Sequence, residues 1–171
     1  MDIIKTERLV LRPYLLSDAD ALYVNLGMDE ESYRYTGWNP YESVEMTEGI
    51  IKERMEDFSL SQTYNAVITL DGEIIGTVAA FDYDEDKDSL ELGYAIFRTY
   101  WNHGYAKEAV KAFIKEVLKH HKGLHAWVHE DNEASKKVLL SCGFTYGGKV
   151  SDGLTNFDGS FADQWIYVLD R

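Results

Sequence analysis

Ten consecutive residues, Tyr-Trp-Asn-His-Gly-Tyr-Ala-Lys-Glu-Ala from Tyr100 to Ala109, have the types and spacing from which an anion site is built. They follow a strand-like run over 89–97 and open a helix. In that helix Ala106, Ala109, Val110, Phe113, Ile114, Val117 and Leu118 recur at the i, i+3, i+4, i+7 spacing of one buried face. A strand, a short turn containing Gly104 and a helix N-terminus leave backbone N–H groups without partners, and the helix dipole adds positive potential at the same spot. The chemistry that fits is the holding of a phosphate or pyrophosphate. Asn102 enters the left-handed region more readily than most residues, so the turn is feasible without a second glycine. Two other nucleotide motifs fail on spacing. The chain has no GxxxxGK[ST], and no GxGxxG with an acid about twenty positions later.

Composition sets the limits within which such a site operates. A length of 171 residues with 45% hydrophobic side chains suits one globular domain, 1–171, with a sizeable core. No linker-like segment or internal repeat divides it, and nothing approaches the ~20 apolar residues of a membrane span. We expect an intracellular, cytoplasmic protein, monomeric or homodimeric. A formal charge of −13 argues against nucleic acid and against anionic membranes, and is compatible with a cationic partner. The single cysteine, Cys142, excludes an internal disulfide and reads as a small buried side chain rather than a nucleophile. The five histidines show no ligand spacing, so no metal is expected.

The elements that must position the turn follow from periodicity. Residues 7–14 read as a strand around Leu9 and Leu11. Ser17 and Asp20 suggest a capping box for a helix that Gly27 can end. A loop with Tyr33, Tyr35, Trp38 and Tyr41 leads to a second helix, capped by Ser43. Residues 64–70 and 73–83 form a hairpin about Asp71-Gly72. After the strand at 89–97 and the helix from Tyr105 to about His121, stopped by Gly123, come a strand at 124–129 and a helix at 134–141 capped by Asn132. Strands near 144–150 and 164–169 end the chain. The order β-α-α-β-β-β-α-β-α-β-β predicts an α/β domain: a mixed, mostly antiparallel sheet with helices on both faces and one parallel pair with a right-handed crossover. The turn then lies at the C-terminal end of a central strand, where ligands bind.

Four segments together resemble the GNAT superfamily of acetyl-coenzyme A-dependent N-acetyltransferases, nearest the ribosomal-protein N-terminal (RimJ/RimL-like) branch. Thr6-Glu7-Arg8-Leu9-Val10-Leu11-Arg12 is similar to the opening strand, and Glu91-Leu92-Gly93-Tyr94 to the strand leading to the coenzyme. Tyr100 to Ala106 resembles the pyrophosphate motif, and Asn132-Glu133-Ala134-Ser135 followed by Gly143-Phe144 the second coenzyme motif. The family usually has Gly where Asn102 stands and a basic or glutamine side chain where His103 stands. A tyrosine common seven residues after the asparagine is here Leu139, so the proton-donor role falls to Ser135.

The resemblance implies the acyl-coenzyme A N-acyltransferase fold, acetyl-coenzyme A as cosubstrate, and direct attack of a primary amine on the thioester. The coenzyme residues it implies are Ala95, Ile96, Phe97, Trp101, Asn102, His103, Gly104, Tyr105, Ala106, Asn132 and Ser135. Strand N–H groups near Ala95, Ile96 and Phe97 are the expected donors to the thioester carbonyl. Glu91 is the expected base, with Asp82, Tyr83 and His129 in reserve. Tyr33, Trp38 and Tyr41 are the expected amine pocket, because aromatic faces attract cations. The acceptor implied is a protein N-terminal α-amine or other basic amine. A small amine such as an aminoglycoside or polyamine, and a non-catalytic acyl-coenzyme A-binding domain, are the alternatives.

Overall fold

The computed structural model describes residues 2–35, 40–57, 63–156 and 158–171. One sheet of eight strands organises it: β1 (Ile4–Lys5), β2 (Leu9–Arg12), β3 (Tyr64–Leu70), β4 (Glu73–Asp84), β5 (Ser89–Ile96), β6 (Gly123–His129), β7 (Thr145–Thr155) and β8 (Phe161–Asp170). Their spatial order is β1-β2-β3-β4-β5-β6-β8-β7, and every neighbouring pair is antiparallel except β5 and β6. The helices are α1 (Ala19–Leu22), α2 (Glu30–Tyr33), α3 (Val44–Asp57), α4 (Tyr105–Val117) and α5 (Glu133–Ser141). No helix among the described residues is long and apolar enough to cross a membrane.

Period-two alternation sends the sheet's side chains into two cores. On one face Ala66, Ile68, Val78, Ala80, Leu90, Leu92 and Ile96 pack against Ala109, Val110, Phe113 and Val117 of α4 and Leu139 of α5. On the other, Val67 and Phe97 pack with Ala19 and Leu22 of α1 and Ile51 of α3. The sheet thus separates a layer holding α4 and α5 from a layer holding α1 and α3.

The local departures from the sequence reading have physical causes. The first strand is a small hairpin. Ile4 and Lys5 pair back onto Leu11 and Val10, a two-residue strand too short to show a period. Asp18, not Ser17, organises the first helical turn. Its carboxylate accepts the Leu15 N–H at 2.8 Å and holds Arg12 bidentately at 2.8 and 2.9 Å. Gly27 ends a five-residue π-helical stretch (Tyr23–Gly27) and is needed for closeness: a Cβ there would stand 2.8 Å from the Cβ of Tyr41. Gly123 does not terminate α4, which ends at Val117 with right-handed Leu118. Gly123 is instead the first residue of β6. Ser43 does cap α3, accepting the Met46 N–H at 3.1 Å.

One feature of the sheet matters most for chemistry. The parallel pairing of β5 with β6 covers only Ser89, Leu90 and Glu91 against Gly123, Leu124 and His125. Beyond Glu91 the two strands part. β5 continues with β4 as far as Ile96, while β6 continues with β8. The sheet is therefore forked at its centre.

Candidate active site

The turn before α4 is shaped for an anion. Asn102 and Gly104 both adopt left-handed conformations, at φ 63° and 80°. Gly104 occupies the N-cap without a side-chain cap, and the first helical bond runs from Glu108 N–H to the Gly104 carbonyl at 3.1 Å. The amides of the first turn, Tyr105, Ala106 and Lys107, are thereby left pointing off the helix end. Trp101 ties the turn to the strand, its indole N–H donating to the Ile96 carbonyl at 2.6 Å. Arg8 clamps it from the N-terminal hairpin. The guanidinium donates to the His103 carbonyl at 3.1 Å, lies 4.5 Å over the Tyr105 ring and pairs with Glu108 at 2.6 Å. His103 stacks on Tyr105.

The forked edge of β5 offers further backbone donors. The Phe97 N–H is committed to the Ile75 carbonyl at 2.8 Å, and antiparallel alternation directs the Ala95 and Gly93 amides toward β4 as well. The expected donor role therefore does not hold for Ala95 or Phe97, and the Phe97 side chain is also buried in the second core at 1% exposure. Alternation leaves the amides of Tyr94 and Ile96 facing the fork.

A cleft of about 720 Å³ passes through this fork. It is lined by Glu91 and Gly93 on β5, Phe81 and Asp82 on β4, Ala126 and Trp127 on β6, Asn132 and Ser135 at the start of α5, and Tyr14, Tyr41 and Arg54 from the α1/α3 layer. Glu91 is opposite Phe81 in the register, so its side chain shares the face that packs on α1 and α3. Burial, reinforced by the nearby Asp82 carboxylate, pushes the Glu91 carboxyl up to about 6. Asp82 is brought there by an irregularity between Phe81 and Asp84, where it adopts a left-handed φ of 49°.

On the opposite side of the fork, Asn132 caps α5 by accepting the Ser135 N–H at 3.0 Å. The Ser135 hydroxyl is 2.9 Å from the hydroxyl of Tyr94, which also donates to the Ser135 carbonyl at 3.3 Å. Burial pushes the Tyr94 phenol well above the ordinary tyrosine range, so it stays protonated. α5 is locked by Lys136, whose buried ammonium donates to the Glu130 carbonyl and to Glu133 and sits 3.8 Å above the Trp165 ring. Leu139 is fully buried. The phenol that reaches the start of this helix comes from the neighbouring strand.

The cleft brings together Glu91, Asn132, Ser135 and Tyr41, drawn from three separated segments. The anion turn lies at the far end of β5 and does not line the cleft. Tyr33 does not line the cleft with Tyr41; it lines a neighbouring depression with Glu30, Tyr35 and His129, and Tyr35 lines both. Trp38 lies outside the described residues. Of the reserves, Asp82 lines the main cleft, whereas Tyr83 hydrogen-bonds Asp88 and His129 lines the separate depression. Sequence reasoning missed Tyr94 and Arg54 as site residues. Tyr94 stood in a quoted motif, but only the packing of α5 on β5 shows what its hydroxyl touches. Cys142 is half-buried, and burial pushes its thiol up, which disfavours a thiolate. Among the described residues no group of three His, Cys, Asp or Glu side chains is arranged to hold a metal ion.

The chain and its fold have counterparts among known proteins. The chain is 30% identical over 174 residues to the uncharacterized N-acetyltransferase p20 of Bacillus licheniformis, covering 99% of this chain and 96% of that one. Its fold matches RimL, a ribosomal L7/L12 alpha-N-protein acetyltransferase solved with coenzyme A, at a TM-score of 0.89 and 18% identity, covering 99% and 98% of the two chains. It also matches MccE, the microcin C7 self-immunity acetyltransferase solved with acetyl-coenzyme A and AMP, at 0.88 and 20%, covering 97% and 94%. The sequence profile of the acetyltransferase (GNAT) domain covers residues 8–145, and with it β2, the parting of β5 from β6, the anion turn and α5: the chain belongs to the GNAT family of N-acetyltransferases.

Proposed function

We propose that the protein transfers an acetyl group from acetyl-coenzyme A to the α-amine of a peptide N-terminus, with Glu91 as the base and Ser135 as the proton donor. The observation that carries this reading is the placement of the two groups in one cleft on opposite sides of the fork. Glu91 shares the face of α1 and α3, and the Ser135–Tyr94 pair shares the face of α4 and α5. The residues present fit the coenzyme. The left-handed turn at Asn102 and Gly104, with the free amides of Tyr105 and Ala106 beyond it, suits a pyrophosphate. Trp101 and His103 shape that turn, Asn132 positions Ser135, and the Ile96 amide faces the fork where a carbonyl needs a donor. The coenzyme supplies the acetyl thioester.

A carboxylate with a pKa of about 6 is ionised at neutral pH and basic enough to take a proton from an amine in the cleft. It suits an α-amine, whose pKa of about 7.7–8.0 leaves a sizeable neutral fraction, better than a lysine amine at about 10.4. The alkyl and peptide portions of the acceptor have Tyr41 and Phe81 to pack against. Ser135 returns a proton to the departing sulfur, and Tyr94 holds the serine hydroxyl in place. RimL, which shares the fold, is named for the same α-amine chemistry. Coenzyme A release from acetyl-coenzyme A, measured with peptides, polyamines and aminoglycosides, tests the reading. Release with peptides bearing a free N-terminus supports it. Release with polyamines or aminoglycosides alone would replace the acceptor, and coenzyme-induced thermal stabilisation without release on any amine would make this a binding domain.

A further inference from the structure

The acceptor side of the cleft is electrically polarised. Its carboxylates are Glu53, Asp82 and Glu91, and against them stands a single cation among the lining residues, Arg54. Arg8, Arg12, Arg34 and Arg98 are each matched to a carboxylate. Arg54 is matched to none among the side chains described. Its place is fixed by the backbone: the Arg54 carbonyl accepts the amide of buried Asn65 at 3.1 Å, which pins the last turn of α3 over β3. Its guanidinium lowers the phenol pKa values of both Tyr14 and Tyr41, against the larger upward effect of their burial.

The register places the backbone anchor of Arg54, though not its guanidinium, relative to the base. Asn65 pairs with Ala79 and Ala79 with Gly93, and Glu91 lies two residues along β5. Strand spacing and rise then place Asn65 and Glu91 roughly 12 Å apart. An extended peptide rises about 3.3 Å per residue, so this gap spans about three residues. Resting on the reading of this cleft as the acceptor site, we propose that Arg54 receives a carboxylate of the acceptor. The preferred acceptor is a short peptide that carries this carboxylate a few residues from its N-terminal amine, supplied either by an acidic side chain or by the end of the peptide. Guanidinium pairs bidentately with carboxylates and is weakly hydrated, which suits a half-buried site.

Calorimetry on the coenzyme A-saturated protein tests this without turnover. The probes are Ser-Ala-Glu amide, Ser-Ala-Gln amide and Ser-Ala-Gln with a free C-terminus. A charge-assisted hydrogen bond predicts about tenfold tighter binding of one or both carboxylate-bearing peptides than of the neutral amide. Which of the two gains identifies the source of the carboxylate. Arg54→Gln removes the preference, and Arg54→Lys, keeping charge but losing the planar fork, retains part of it. Equal affinity for all three peptides, no binding of any, or a preference that survives in Arg54→Gln overturns the proposal. Failure of the acetyl-transfer reading shows separately, as absent coenzyme A release with every amine.

Discussion

The two sides of the fork are built by different means. On the α4 side the site is mostly backbone: a left-handed turn, an uncapped helix start and the edge of one strand, all within residues 94–107. On the α3 side it is mostly side chains, gathered from Tyr14, Tyr41, Arg54, Phe81, Asp82 and Glu91. Backbone sites bind whatever fits the conformation, so one coenzyme serves a whole family. Side-chain sites change with each substitution, so acceptors diverge. The contrast predicts that substitutions on the α3 side alter catalysis and acceptor choice, whereas those in the turn before α4 alter coenzyme affinity.

The sharpest break of this contrast is at Glu91. Glu91→Gln is expected to lower kcat by about 100-fold or more, the scale of a general base, and leave the acetyl-coenzyme A dissociation constant unchanged in titration calorimetry. On the other side, Gly104→Ala forces a Cβ into a φ of 80°, where its nearest neighbour, Arg8 Nη2 at 3.7 Å, is at ordinary contact distance and conformational strain alone opposes it. That strain, about 1–2 kcal/mol, should raise the KM for acetyl-coenzyme A about tenfold while kcat at saturating coenzyme is kept. Ser135→Ala and Tyr94→Phe act across the fork through one hydrogen-bonded pair. Each should cost several-fold in kcat, and the double variant no more than Ser135→Ala alone, since Tyr94 works through that hydroxyl.

The smallest effect concerns stability. The Glu91 carboxyl titrates at about 6 in the folded protein against an ordinary value of 4.5. The folded state therefore binds this proton more tightly than the unfolded chain, and stability falls as pH rises from about 4.5 through 6. Glu91→Gln removes the ionisable group. Its Tm should exceed that of the wild type at pH 8, with no gain at pH 4. A variant more stable yet less active is what a functional burial of charge predicts.

Legibility in the sequence followed the same division. The succession of elements after the first strand, the parallel pair and the α4 turn were readable because period, Gly104 and Asn102 act locally. The Asp71-Gly72 hairpin was readable for the same reason, and both residues sit at positive φ. The fork was not, since nothing in residues 89–97 says where β6 stops following β5. Nor was the cleft's far wall. Arg54 sits on the inner edge of an otherwise ordinary amphipathic helix, and Tyr94 reads as one more strand aromatic until α5 packs beside it. Phe97 was assigned a donor role from its position on the strand. The Ile75 carbonyl that takes its amide belongs to a register no single strand reveals.

The proposed chemistry depends on the raised carboxylate of Glu91 drawing the proton from the acceptor amine. The pH dependence of kcat for coenzyme A release, wild type against Glu91→Gln, tests it most directly. The wild-type rate should rise through a limb near pH 6 as Glu91 ionises, and the variant should lack that limb. A limb near pH 6 that persists in Glu91→Gln, or a variant with wild-type kcat, would contradict it.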